Sequence, residues 1–274
     1  MTVPTITLND GNQIPQLGFG VYLVEPDQAE RIVSDALEIG YRHIDTAKLY
    51  ENEDGVGRAV AKSGIPREDI WITTKLWNDD QGKDKAPAAF ERSLDKLGLD
   101  YVDLYLIHWP KPGQGTFVET WQVFEEIKAS GRAKSIGVSN FQPHHLEELF
   151  RHSETVPSIN QIELHPRLIQ QENRDFARRH GIAIESWGPL GQGKYPLLDL
   201  PEITSAAEAH GVTPAQVVIR WHLQHGLIVF PKTNSAERAK TNFDVFGFEL
   251  TDAEMAAIDG LDDGTRGGPD PDTF

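Results

Sequence analysis

The chain has 274 residues, no cysteine, and 26 basic against 42 acidic side chains for a formal charge of −16. The missing cysteines exclude disulfides, thiol nucleophiles and thiolate metal sites, and no metal is expected. The acidity disfavours nonspecific binding to nucleic acid or to an anionic membrane, and no apolar stretch approaches the ~20 residues of a membrane span. Met1-Thr2-Val3-Pro4-Thr5 lacks the basic and apolar regions of a signal peptide, so a cytoplasmic protein is expected.

The opening reads as a hairpin, with Thr5-Ile6-Thr7-Leu8 and Gln13-Ile14-Pro15 either side of Asn9-Asp10-Gly11-Asn12. Strand-like runs follow at 17–21, 42–45, 70–75, 102–108, 135–139, 158–162, 183–187 and 227–231. Between them, apolar residues spaced by three and four predict helices over 27–39, 53–62, 86–97, 117–129, 144–150 and 172–180. Gly64, Gly98, Gly131 and Gly181 stand where helix C-caps are expected. Eight strand-helix units predict a closed (β/α)8 barrel, an α/β fold of the ~250-residue size common for one domain. The 187–232 interval is longer than one unit and leaves room for an added helix or loop. A further helix is expected over 252–259, and the Gly-, Asp- and Pro-rich tail 262–274 reads as irregular. Nothing marks a domain boundary, so residues 1–274 are expected to form one domain.

Three successive strand runs end in Asp45, Lys75 and His108, and Tyr50 follows the first by five residues. In a parallel barrel the strand ends share one face, so these groups converge there. A free phenol, with a pKa of about 10, is a poor acid at neutral pH. An ammonium ~4 Å away, at an effective dielectric near 20, favours the phenolate by roughly 4 kcal/mol, a shift on the order of 3 units. Lys75 is thus expected to bring Tyr50 toward the range useful for general acid catalysis. Asp45 would keep Lys75 charged, and His108 would orient a carbonyl oxygen. Taken singly, each residue has a plainer reading: a helix cap, a solvated lysine, a packed tyrosine, a core histidine. Their coincidence at consecutive strand ends favours a site.

A proton donor of this kind needs a hydride carrier, which side chains cannot supply. No Gly-x-Gly-x-x-Gly opens a helix, since Gly18-Phe19-Gly20-Val21-Tyr22-Leu23 lacks the third glycine. Later strand ends offer Ser139, Asn140 and Gln161 for a carboxamide, and Trp187 as a flat face for a nicotinamide ring. Gly188-Pro189-Leu190-Gly191-Gln192-Gly193 has the composition of a loop that wraps a pyrophosphate. Lys232, Thr233, Asn234, Arg238 and Asn242 gather two cations and a hydroxyl near a helix start. Such a site suits an adenosine 2′-phosphate, and so NADPH over NADH. A core tryptophan and a solvated basic face remain the plainer readings of these groups.

Gly40-Tyr41-Arg42-His43-Ile44-Asp45-Thr46-Ala47, with Tyr50-Glu51-Asn52-Glu53 and Val56-Gly57, resembles the N-terminal signature of the aldo-keto reductases. Thr73-Thr74-Lys75-Leu76-Trp77 and Leu106-Ile107-His108-Trp109-Pro110 resemble that family's next two motifs, and Lys232-Thr233 with Arg238 and Asn242 its C-terminal one. The likeness covers essentially the whole chain. It implies a catalytic tetrad of Asp45, Tyr50, Lys75 and His108, with Tyr50 as the general acid. It also implies NADPH as cofactor, held by Gly20, Val21, Tyr22, Ser139, Asn140, Gln161, Trp187, Gly188, Leu190, Gln192, Gly193, Lys232, Thr233, Asn234, Arg238 and Asn242. Trp187 stands where many members stack a tyrosine. Tyr22, Trp77, His108 and Trp109 are the expected pocket walls for a small carbonyl substrate. Ile159-Asn160-Gln161-Ile162-Glu163-Leu164-His165-Pro166 and Glu185-Ser186-Trp187-Gly188-Pro189-Leu190-Gly191-Gln192-Gly193-Lys194 carry a finer likeness to bacterial 2,5-diketo-D-gluconate reductases. The short C-terminal loop disfavours bulky steroids. Reduction of a small aldehyde or ketone by a monomer is the expected activity. The alternatives are an NADPH-binding sensor subunit with little turnover, and a lyase barrel using Lys75 as a Schiff base.

Overall fold

Eight parallel strands, hydrogen-bonded in the order in which they occur in the chain, form the frame of the described residues, 3–274, in a computed structural model. They are β3 (Phe19–Gly20), β4 (His43–Asp45), β5 (Trp71–Leu76), β6 (Val102–Ile107), β7 (Ala133–Ser139), β8 (Ile159–Glu163), β9 (Ala183–Trp187) and β10 (Ile228–Val229). The two ends of the sheet meet through Leu17 and Val229, with Gly18 N donating to Val229 O at 2.8 Å and Gly20 N to Pro231 O at 3.3 Å. This is a nearly closed (β/α)8 barrel, as the alternation of runs predicts.

Helices cover its outside: α1 (Pro26–Ile39), α2 (Glu53–Lys62), α3 (Ala86–Leu97), α4 (Phe117–Ala129), α5 (Pro143–His152) and α6 (Gln171–Arg179). The long 187–232 interval holds two more, α7 (Pro201–His210) and α8 (Pro214–Gln224), one beyond a single unit, as its length allows. α9 (Ala236–Phe243) and α10 (Asp252–Asp259) follow. Pro26, Pro143, Pro201 and Pro214 open four of these helices, where a missing N–H costs nothing. Gly98 ends α3 at φ 64°, the left-handed conformation the C-cap reading requires.

The barrel is apolar at its lower end and polar at its upper end. A hairpin of β1 (Thr5–Thr7) and β2 (Gln13–Pro15) lies across the bottom, and its Ile14 is fully buried against a cluster containing Trp71, Leu104, Leu106 and Ile228. Burying such a side chain contributes about 1.5–3 kcal/mol, so the plug also seals that end from water. The strands' C-terminal ends instead bury Asp45, Lys75, Ser139, Gln161 and Glu185. The polar groups that face the cavity are therefore gathered in one mouth.

The tail 262–274 has no helix or strand, as its composition suggests, but it is fastened. The backbone N–H groups of Gly267 and Gly268 donate to the two oxygens of Glu163, at 2.7 and 2.9 Å. The approach is tight elsewhere too: a Cβ on Gly57 in α2 would fall 2.0 Å from Leu97 O at the end of α3. Gly57→Ala should therefore cost about 1–3 kcal/mol of stability and lower the melting temperature by several degrees. Gly113→Ala, with nothing within 4 Å of its added methyl, should melt like the wild type.

Candidate active site

The mouth is organised around a lysine with no exposed surface. Lys75, near the end of β5, points its ammonium at three oxygens: Asp45 Oδ1 at 2.6 Å, Thr46 O at 2.9 Å and the Tyr50 hydroxyl at 3.4 Å. Asp45 closes β4, and a single 3-10 turn, Lys48–Tyr50, brings the phenol back over the strand ends. Burial alone would discharge Lys75; the charge of Asp45 and the phenol oxygen outweigh it and raise its pKa above the ordinary value. The other Asp45 oxygen accepts from Gln161 Nε2 at 2.8 Å, so the carboxylate is fully partnered.

His108 follows β6 and packs edge-on to Tyr50, ring centroids 5.9 Å apart, and to Trp77, 5.2 Å apart. Burial and the nearby Lys75 charge push its pKa well below the ordinary value, so the ring is neutral. Its Nδ1 is buried without a hydrogen-bond partner among the described residues. A lone pair is a cheaper group than an N–H to leave unpaired, which places the proton on Nε2, the ring nitrogen available as a donor.

Above these residues lies a cavity of about 610 Å³. Tyr50, Asp45 and His108 form part of its floor, and Tyr22, Trp77, Trp109 and Phe274 form aromatic walls. It extends past Ser139, Asn140, Gln161 and Trp187 to the 188–193 loop on one side and to Gly20 and Lys232 on the other.

With that geometry in hand, comparison with known proteins decides the family: the profile of the aldo/keto reductase family matches residues 16–263. The chain belongs to the aldo/keto reductase family. An aldo-keto reductase of Mycolicibacterium smegmatis is 56% identical over 99% of this chain and 98% of its own. The glyoxal reductase of Bacillus subtilis is 48% identical over 98% and 96%. Among solved structures, a mutant of Gox0644 in complex with NADPH superposes with a TM-score of 0.96 at 48% identity, over 100% of this chain and 99% of that one.

Most residues expected to contact cofactor in this aldo/keto reductase do face the cavity, but several are already engaged. Asn140, at φ 64°, accepts from Trp187 Nε1 at 2.8 Å and donates to His108 O at 3.0 Å and to Ser139 Oγ at 3.1 Å. Ser139 Oγ donates in turn to Gln161 O at 2.8 Å. Gly188, Leu190, Gln192 and Gly193 line the wall, with Gln192 held at φ 53° in the turn Gly191–Gly193. Lys232 faces the cavity and Arg238 stands behind it, its Nε donating to Thr233 Oγ1 at 3.0 Å. Burial and the Arg238 charge lower the Lys232 pKa. Thr233, Asn234, Arg238 and Asn242 flank the cavity without lining it, and Thr233 and Asn242 are buried. Val21 follows β3 directly and does not line the cavity; its side chain belongs to the core between sheet and helices.

The sequence reading missed Leu23, Leu49, Lys194, Phe230 and above all Phe274 among the lining residues. Phe274 packs on Trp109 at 4.6 Å between centroids and on Trp77 at 6.4 Å. The available signal was that it is the one large apolar residue in the tail. Asp272 helps hold this tail, 3.0 Å from His144 Nε2 and 3.3 Å from His145 Nε2. These three groups do not suit a metal. His145 Nδ1 accepts the Gln142 backbone N–H at 3.1 Å, so a neutral His145 keeps its proton on Nε2 and has no lone pair to offer there.

The Tyr50 pKa is a correction. Burial, the largest influence, outweighs the attraction of Lys75 and pushes the phenol up to about 12 rather than down. A lysine–phenol pair taken alone leaves out desolvation, which opposes the phenolate more strongly than the lysine favours it. With its pKa raised, Tyr50 is protonated throughout the neutral range and loses its proton only as pH approaches that value. Tyrosinate absorbance of the free protein and of Tyr50→Phe should therefore coincide through about pH 10. A titration step near neutrality that the variant lacks would show Lys75 prevailing over burial.

Proposed function

We propose that this aldo/keto reductase uses NADPH to reduce a small, uncharged aldehyde or ketone, with Tyr50 giving the proton. The observation that carries the reading is a phenol on the floor of an aromatic-walled cavity, backed by a buried, charged lysine. When bound, the cofactor supplies the hydride. The residues present fit it. Lys232 and Arg238 are neighbouring cations whose repulsion an anion relieves, and the terminal guanidinium nitrogens of Arg238 have no hydrogen-bond partner among the described residues. With Thr233, Asn234 and the start of α9 they form the group that would take a 2′-phosphate. Trp187 would stack on the nicotinamide, and Ser139, Asn140 and Gln161 would meet its carboxamide. The 188–193 loop would wrap the pyrophosphate.

The chain's own chemistry follows from the geometry. A carbonyl oxygen lodged between Tyr50 and His108 accepts from the neutral imidazole, which polarises it without a competing charge. Tyr50 transfers its hydroxyl proton to that oxygen. Lys75 remains a cation, stabilises the phenolate left behind, and is itself kept charged by Asp45. A phenol with a raised pKa is still a far stronger acid than an alcohol, so proton transfer to a developing alkoxide runs downhill. Trp77, Trp109 and Phe274 keep water from the reacting oxygen.

The aromatic walls support an uncharged substrate, and the glyoxal reductase relative agrees in kind. Lys111 lies over the Phe274 ring at 4.8 Å, and that cation keeps a keto sugar acid such as diketogluconate among the compounds to test. NADPH consumption should be fastest with glyoxal, methylglyoxal and aromatic aldehydes. Tight NADPH binding without turnover on any carbonyl would favour a sensor instead. Tyr50→Phe should lose about 10²–10⁴ in kcat while its NADPH affinity stays near that of the wild type; near-normal turnover would remove the acid assignment. Arg238→Ala should weaken NADPH by about tenfold or more and leave NADH nearly unchanged, and an equal loss for both nucleotides would remove the 2′-phosphate role.

A further inference from the structure

Below the tetrad, on the barrel side of Gln161, lies an acid that the proposed reaction does not use. Glu185 on β9 is fully buried and sits in register with Gln161 on β8 and Ile228 on β10. Gln161 Nε2 donates to Asp45 Oδ2 at 2.8 Å and to Glu185 Oε2 at 2.9 Å. A side-chain amide nitrogen has two hydrogens, and both are used here. Only the amide oxygen of Gln161 is left for the cavity that it lines.

We propose that Glu185 is a positioning residue which, through Gln161, fixes how the nicotinamide carboxamide is held. With Asp45 alone, one amide hydrogen is retained and the group can turn. With Glu185 opposite, a flipped amide would lose both N–H bonds and set its carbonyl oxygen against the Asp45 carboxylate, which has no proton to offer. The acceptor state of Gln161 is thereby locked, and it selects the amino end of a carboxamide.

The surroundings explain how a second acid is tolerated there. Lys75 is shared with Asp45, His43 Nε2 lies 3.6 Å from Glu185 Oε1, and that oxygen has no hydrogen-bond partner among the described residues. His43 is neutral, its pKa pushed down to about 3 by burial. Burial and the Asp45 charge push Glu185 up to about 8, so at neutral pH it is mostly protonated and accepts from Gln161 without adding a full charge. A protonated carboxyl keeps acceptor capacity.

The proposal rests on the NADPH reading, and its test separates the two. Affinities for NADP+ and for its 3-acetylpyridine analogue, in which a methyl ketone replaces the carboxamide, are measured by fluorescence quenching on wild type, Glu185→Met and Glu185→Gln. Wild type should prefer NADP+ by about five- to tenfold, the value of one hydrogen bond to the amino group. Glu185→Met removes the acceptor at similar volume, and its preference should fall to within about twofold of unity. Glu185→Gln keeps an acceptor oxygen and should restore the preference. A loss in Glu185→Met that is equal for both nucleotides, or none at all, marks Glu185 as structural and overturns the proposal. If Glu185→Met fails to fold, Gln161→Met removes the amide itself, and an unchanged preference there overturns the proposal equally. Failure of the wild type to bind either nucleotide would overturn the NADPH reading, and this inference with it.

Discussion

A positive charge with no water around it sets the terms for the rest of the mouth. Moving an ammonium out of water costs several kcal/mol even after relaxation, and a buried pair broken on one side is destabilised by about 3–5 kcal/mol. Lys75 has all three donors filled, and its counter-charge, Asp45, lies 2.6 Å away. The strand ends supply both partners of this pair, the register of β4 and β5 brings them side by side, and Thr46 O completes the set. Remove any of these and the remaining charge has nowhere to go. The pair holds the phenol as firmly as the phenol needs the pair.

The same demand spreads sideways. Asp45 is satisfied only because Gln161 reaches it, and Gln161 is shared with Glu185, so three strands are tied into one polar layer. Above it the cavity is aromatic; below it Ile14 and its neighbours close the barrel with apolar side chains. Apolar side chains on both sides raise the strength of every interaction within the layer and also the penalty for any group left unpaired. That is why the Tyr50 hydroxyl is held protonated although a cation touches it.

Much of this could be read from the residues. The helices at 53–62, 86–97 and 117–129 have the bounds their apolar spacing indicates, because each buries a clear stripe against the sheet. Asp45, Lys75 and His108 stood out as polar groups ending apolar strands, a position whose geometry follows from the fold alone. What could not be read depends on contacts between distant segments. Glu185 looks like an ordinary polar residue in a strand until its neighbour across the sheet is known. Phe274 lies in a segment whose composition indicates no structure, and contacts with distant residues, among them Glu163 and His144, fasten it over the mouth. The sign of the Tyr50 shift was missed for a related reason: charge separation can be guessed from spacing, whereas dehydration is a property of the whole enclosure.

The barrel's seam has a further consequence. β3 and β10 are each two residues long, and a few backbone hydrogen bonds from the Gln16–Gly20 stretch close the circle, where β5, β6 and β7 share longer ladders. Gly20 on one side of that junction and Lys232 just beyond the other both face the cavity. A nucleotide lying across them would act as a strap on a short joint of the ring, and its binding energy would count toward folding, growing with the logarithm of its concentration. The durability of this enzyme would then follow the cell's supply of reducing power, with the empty barrel the form most exposed to unfolding and proteolysis.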